Sequence, residues 1–192
     1  TFNFTAFDTV DDTLDYSLFI NGIENKTGTI DSGCFEYVTV GFADGEYNWS
    51  VTVSDASGKY NSSSVLNFTV DTEAPELALI APGEEYINDT GSVTFKFTAF
   101  DIVDEDLDYT LFINGIENTS GTIVCGDFEN VPLSLDEGEY NWSVTVLDSS
   151  GKLNESSVLN FTVDTTAPEL ALVAPEDEFI NDSGLVTFNF TA

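Results

Sequence analysis

Thr1-Phe2-Asn3-Phe4-Thr5-Ala6-Phe7-Asp8 returns as Thr94-Phe95-Lys96-Phe97-Thr98-Ala99-Phe100-Asp101 and begins again at Thr187, each time 93 residues later. Residues 1–93 lie on 94–186 without a gap, and 65 of the 93 positions are identical. Units this similar build the same structure, so the chain is an array rather than one large domain.

Within the repeat, apolar residues alternate with period two, and no helical period competes. Phe2, Phe4 and Ala6 share one face of a strand, and Thr1, Asn3 and Thr5 the other. Tyr47, Trp49, Val51 and Val53 form an apolar row, as do Leu66, Phe68 and Val70. Such strands have one dry and one wet face. Asn21-Gly22 and Asn114-Gly115 suit tight hairpins, whose two central residues need positive φ. Ala56-Ser57-Gly58-Lys59 and Ser149-Ser150-Gly151-Lys152 mark a second hairpin. Strands are expected near 1–8, 15–21, 26–31, 35–42, 46–54, 60–71 and 76–81. Seven short strands per repeat predict an all-β fold of tandem immunoglobulin-like β-sandwich domains on the 93-residue repeat.

Val70-Asp71-Thr72-Glu73-Ala74-Pro75-Glu76 and Val163 to Glu169 read as linkers, because Pro ends a strand and cannot donate to a ladder. The boundaries follow: an Ig-like domain without its first strand at 1–72, a complete one at 73–165, and the first two strands of a third at 166–192. The opening and closing residues both fall inside amphipathic strands, which leads to the expectation that the chain is a window on a longer array. Strand donation between subunits is the rival expectation.

The junctions Phe68 to Pro75 and Phe161 to Pro168 resemble the "FTVDTTAP" joints of Ig-like tandem repeats in archaeal and bacterial surface proteins. Asp44-Gly45-Glu46-Tyr47-Asn48-Trp49 and Gly138-Glu139-Tyr140-Asn141-Trp142 resemble the "DGxYxWxV" strand of those repeats. Asp136 to Tyr140 is similar to the tyrosine-corner segment of Ig domains. The resemblance implies a cell-surface setting, among adhesins, stalks, surface-layer components and filament subunits. It also implies that a disulfide of related repeats is absent, since Tyr16 and Tyr109 stand where a Cys is often found.

The net charge is −31, with 35 acidic residues and four lysines as the only bases. Nucleic acid and anionic membrane surfaces are therefore excluded as partners, and no apolar run is long enough for membrane insertion in this segment. Catalysis finds no support, since the chain has neither His for general-base work nor Arg for phosphate or oxyanion chemistry. Cys34 aligns with Asp127 and Cys125 with Ser32, so each repeat holds one cysteine and neither can close an intradomain bridge. A bridge between neighbouring chains and a free thiol are the readings left.

Two chemistries are visible. Asn-x-Ser/Thr occurs at Asn3, Asn25, Asn48, Asn61, Asn67, Asn88, Asn118, Asn141, Asn154, Asn160, Asn181 and Asn189, which is 12 of the 15 asparagines. That density points to N-linked glycans and an extracellular location; Asn as the polar half of an alternating strand is the plainer alternative. Acidic residues also cluster: Asp8, Asp11, Asp12 and Asp15 in one loop, and Asp101, Asp104, Glu105, Asp106 and Asp108 in its copy. These loops are expected beside the preceding joint, near Asp71, Glu73 and Glu76. Calcium takes six to eight oxygen ligands and would stiffen such a joint. A solvated acidic loop explains the same residues. No other cofactor is expected, and the expected partner is the chain itself, as neighbouring repeats or as copies in a filament. The sequence thus leads to a structural, glycosylated extracellular rod, with an adhesin whose joints calcium stiffens as the alternative.

Overall fold

The computed structural model describes residues 1–191, so Ala192, the end of the third copy of the opening motif, lies outside the described residues. The first repeat holds β1 (Phe2–Thr5), β2 (Thr13–Ile20), β3 (Ile23–Asp31), β4 (Phe35–Val38), β5 (Gly45–Ser54), β6 (Tyr60–Ser62) and β7 (Leu66–Val70). The second holds β8 (Glu76–Ala81), β9 (Tyr86–Asn88), β10 (Ser92–Phe100), β11 (Asp106–Ile113) and β12 (Ile116–Val124). It continues through β13 (Phe128–Ser134), β14 (Gly138–Leu147), β15 (Leu153–Glu155) and β16 (Leu159–Val163). Beyond it, β17 (Ala171–Ala174) pairs antiparallel with β18 (Asn189–Thr191).

Repeat two is a two-sheet sandwich. One sheet runs β13-β10-β8, and the other runs β12-β11-β14-β16-β9, with β15 on the end of β14. All pairs are antiparallel except β16 with β9. Period-two alternation makes the core. Val93, Phe95, Phe97 and Ala99 of β10 face Leu107, Tyr109 and Leu111 of β11, and Trp142, Val144 and Val146 of β14. Phe95, Phe97, Leu107, Leu111 and Trp142 are fully buried. Each such side chain contributes roughly 1.5–3 kcal/mol by leaving water.

Repeat one repeats this layout with β1 and β4 as one sheet and β3-β2-β5 with β6 and β7 as the other. On β1, Phe2 packs edge-on to Phe42 and Phe68 and beside Trp49. Trp142 of repeat two is sealed by β8 and the turn after it, and its Nε1–H donates to the Pro82 carbonyl at 3.1 Å. Trp49 is half-buried, on an apolar groove shared with Phe2, Val40, Phe42 and Phe68.

The expected hairpin turns form, with φ of 49° and 74° at Asn21-Gly22 and 52° and 71° at Asn114-Gly115. The tyrosine-corner expectation also holds: Tyr140 donates its hydroxyl to the Asp136 carbonyl at 2.9 Å, and Tyr47 to Ala43 at 3.0 Å. Three boundaries differ. The single strand expected at 60–71 is two, because Ser63 inserts its hydroxyl at the Val51 N–H and splits the ladder into β6 and β7. The strand expected at 35–42 stops at Val38 in repeat one, whereas β13 runs on to Ser134. Finally β9, a short parallel edge strand, had no expected counterpart. Three residues carry too little periodicity to be read as a strand.

Candidate interdomain acidic site

The joint between repeats one and two begins at Asp71, directly after β7. Opposite it stand the loop between β10 and β11, which carries Asp101 and Asp104, and the β14–β15 hairpin, which carries Asp148 and Lys152. Each part is fixed locally. Asp101 Oδ1 accepts the N–H of Val103 at 2.8 Å and of Asp104 at 3.2 Å, which ties the loop into a turn. The Cys125 Sγ accepts the Asp101 N–H at 3.0 Å and donates back to its carbonyl at 3.1 Å. Ser32 does both for Asp8 in repeat one, so Cys125 serves here as a larger Ser32, as a free, half-buried thiol. In the hairpin, Asp148 Oδ1 accepts the Lys152 N–H and the Ser150 hydroxyl, both at 2.8 Å.

These turns use one oxygen of each acid and leave the rest aimed into the joint. One carboxylate oxygen from each of Asp71, Asp101 and Asp148 falls within 4.8 Å of the others. Asp101 and Asp148 are 6% and 5% exposed, and the Asp71 side chain is 6% exposed. Both oxygens of Asp71, Oδ2 of Asp148 and Oδ2 of neighbouring Asp104 are buried without a hydrogen-bond partner. A buried, unpartnered carboxylate is costly, and a cluster of them more so. Burial works against the Asp148 charge, but the Lys152 N–H, the Ser150 hydroxyl and the Lys152 ammonium overcome it and hold the carboxyl below its ordinary range.

The domains also touch directly. Lys152 Nζ donates to the Asp71 carbonyl at 2.6 Å and lies 3.6 Å from its Oδ1. Asn154 Nδ2 donates to the Pro75 carbonyl at 2.8 Å. The linker is clamped from the repeat-one side by Asp44, which accepts the Thr72 hydroxyl at 2.6 Å and the Thr72 and Glu73 N–H groups at 2.9 and 3.2 Å. Glu137 accepts the hydroxyls of Thr165 and Thr166 at the next linker.

Repeat one carries the same half-site. Asp8, Asp11 and Asp55 each bring a carboxylate oxygen within 4.8 Å of the others, all half-buried. The N–H groups of Val10 and Asp11 hold the Asp8 carboxyl below its usual range. Of the acids read from sequence, Asp8 and Asp11 meet in this cluster, Asp71 and Asp101 meet in the joint, and Asp104 lies beside it. Asp12, Asp15, Glu105 and Asp108 lie exposed and outside both clusters. Asp15 and Asp108 fall on the wet faces of β2 and β11, where alternation turns them outward. Asp55 and Asp148 are the ligand candidates the sequence reading missed. Their signal was the shared Asp-x-Ser-Gly-Lys hairpin, read only as a turn.

The sequon asparagines divide by exposure. Asn3, Asn25, Asn61, Asn67, Asn118, Asn160 and Asn189 are exposed, and Asn48, Asn141, Asn154 and Asn181 are half-buried. Asn88 stands apart as buried, at 5% exposure. Its Nδ2 donates to the Ser92 carbonyl at 3.0 Å, and its Oδ1 accepts the Gly91 N–H at 2.7 Å. This Asn holds the turn to Ser92 together.

Residues 1–72 match the family model of a bacterial Ig-like domain. Among solved structures, the fibronectin(III)-like modules of Clostridium thermocellum CbhA align at 16% identity over 78% of this chain and 76% of theirs, with a TM-score of 0.35. The central fibronectin-III array of RIM-binding protein aligns at 11% identity over 90% of this chain and 74% of its own, with a TM-score of 0.29. No curated protein matches. The chain is an all-β array of tandem immunoglobulin-like β-sandwich domains repeating every 93 residues, its first repeat similar to bacterial Ig-like domains.

Proposed function

We propose that this chain is a structural segment of an N-glycosylated extracellular array, such as a filament, stalk or surface-layer protein, whose joints are locked by calcium. The observation that carries the reading is the joint itself. Asp71 of one domain is buried against Asp101 and Asp148 of the next, with carboxylate oxygens that accept no hydrogen bond. Hard oxygen donors converging from three chain segments suit calcium rather than a softer metal, and water would complete the coordination. Such an ion would crosslink two sandwiches at the linker that joins them.

The surface supports the rest. A strongly acidic, nearly lysine-free coat keeps copies soluble, and exposed sequons on the wet faces of strands leave room for glycans. The adhesin alternative shares the calcium joint, but repeats that keep 65 of 93 positions suit a spacer better than a dedicated ligand site, which need occur only once. No helix among the described residues is long and apolar enough to cross a membrane.

Two measurements test the reading. Thermal melting of the chain in calcium and in chelator should give clearly separated midpoints; coincident ones remove calcium from the joint. Glycopeptide mapping of native material should find sugar on the exposed asparagines and none on Asn88. Unmodified peptides throughout would end the glycoprotein reading.

A further inference from the structure

The joint contains a positive charge that the acidic cluster does not consume. Lys152 places its ammonium beside Asp71 but donates its hydrogen bonds to neutral oxygens, the Asp71 carbonyl and the Ser150 hydroxyl, each at 2.6 Å. The carboxylate oxygens of Asp71 remain without a hydrogen bond. The ligand atoms and the lysine therefore coexist. Three carboxylates and one ammonium leave two negative charges, the charge of one divalent ion.

The placement recurs. Only four lysines stand against 35 acids, and two of them, Lys59 and Lys152, hold the same hairpin position beside the acidic cluster of their repeat. Lys96, by contrast, packs over the Phe128 ring at 4.2 Å, and Lys26 lies exposed on β3.

We propose that Lys152 is a built-in counter-ion that shares the joint with calcium, bracing the two domains when the ion is absent and lowering the site's affinity for it. The proposal rests on the calcium reading above and adds its regulation. The lysine sets the calcium level at which the joint locks, and it lets the linker stay docked below that level. The groups around the ammonium are Asp71, Asp148 and Ser150, the Asp44 carboxylate that clamps the linker, and Asp101 beyond Asp71 and Asp148.

The test is calorimetric titration of calcium into the intact chain and its K152M, K152R and D71N variants, with amide hydrogen exchange of the linker in chelator. Removing the positive charge that lies 3.6 Å from a ligand oxygen should tighten calcium binding at least about tenfold in K152M. K152R, which keeps the charge, should stay near wild type. Without calcium, the linker amides of Thr72 and Glu73 should exchange faster in K152M than in wild type. Calcium affinity in K152M equal to or weaker than wild type overturns the proposal, as does unchanged linker exchange. If wild type binds calcium, D71N does not and K152M matches wild type, the calcium joint stands and the role of Lys152 falls. If no form binds calcium, both fall together.

Discussion

Asp71→Asn separates the electrostatics of the joint from its packing. The carboxylate of Asp71 makes no hydrogen bond, so the isosteric amide loses none. Two like-charge pairs disappear, toward Asp101 and Asp148, with ligand oxygens within 4.8 Å. One attraction disappears with them, toward Lys152 at 3.6 Å. Coulomb's law leaves a net gain of about half a kcal/mol if water dominates the screening, and about 2 kcal/mol at an effective dielectric of 20. Roughly 1 kcal/mol moves the midpoint of a domain this size by about 4–8 °C. In chelator, D71N should therefore melt a few degrees above wild type. Calcium reverses the order. At a free concentration about 100 times its Kd, a native-state ligand contributes about 2.7 kcal/mol, which wild type gains and D71N forgoes. The assay is differential scanning calorimetry of both chains in chelator and in calcium. A chelated D71N that melts below wild type, or a variant that keeps the full calcium gain, would refute the reasoning.

Three further outcomes follow from the same coordinates. The Asp44 carboxyl is held below its ordinary value, first by the Thr72 hydroxyl and then by the linker N–H groups, although burial opposes them. A depressed folded pKa gives stability that is present above the unfolded value and lost as pH falls through the folded one. The protection of the Thr72 and Glu73 amides, exchange measured against the intrinsic rate at each pH, should thus fall in acid, below the usual Asp range, and in D44A at neutral pH; protection that stays constant through the acid range would contradict this. Gly121→Val should cost about 1–3 kcal/mol by denaturant unfolding, because a Cβ there would meet the Tyr109 ring at 3.0 Å. Trp142→Phe should destabilise repeat two by roughly 2–4 kcal/mol, through a cavity and a stranded Pro82 carbonyl. Trp49→Phe should cost repeat one less, since Trp49 is only half-buried, and equal losses would argue against the role of the Pro82 bond.

Much of the fold was legible because alternation states directly which face of a strand is dry. Phe2 reads on the apolar face of its strand, and it and its copy Phe95 are core; Asn21-Gly22 reads as a tight hairpin and is one. The short β9 and the break at Ser63 were not legible, since one is too brief for periodicity and the other depends on a hydroxyl finding a neighbouring strand's N–H.

The sequon at Asn88 shows what local pattern does not reveal, which is burial. The tripeptide is intact, yet its amide is spent on the turn at Thr90 to Ser92.

By itself, the sequence determined the repeat, the all-β class, the two inward faces and the acidic bias, because each is a property of neighbours along the chain. Only the tertiary structure decided which acids meet. Asp71, Asp101 and Asp148 are separated by 30 and 47 residues, and nothing local marks them as partners. They converge because a short linker docks one sandwich on the next and two hairpin-like turns each use up one carboxylate oxygen, leaving the remaining oxygens facing one another in a place water barely reaches.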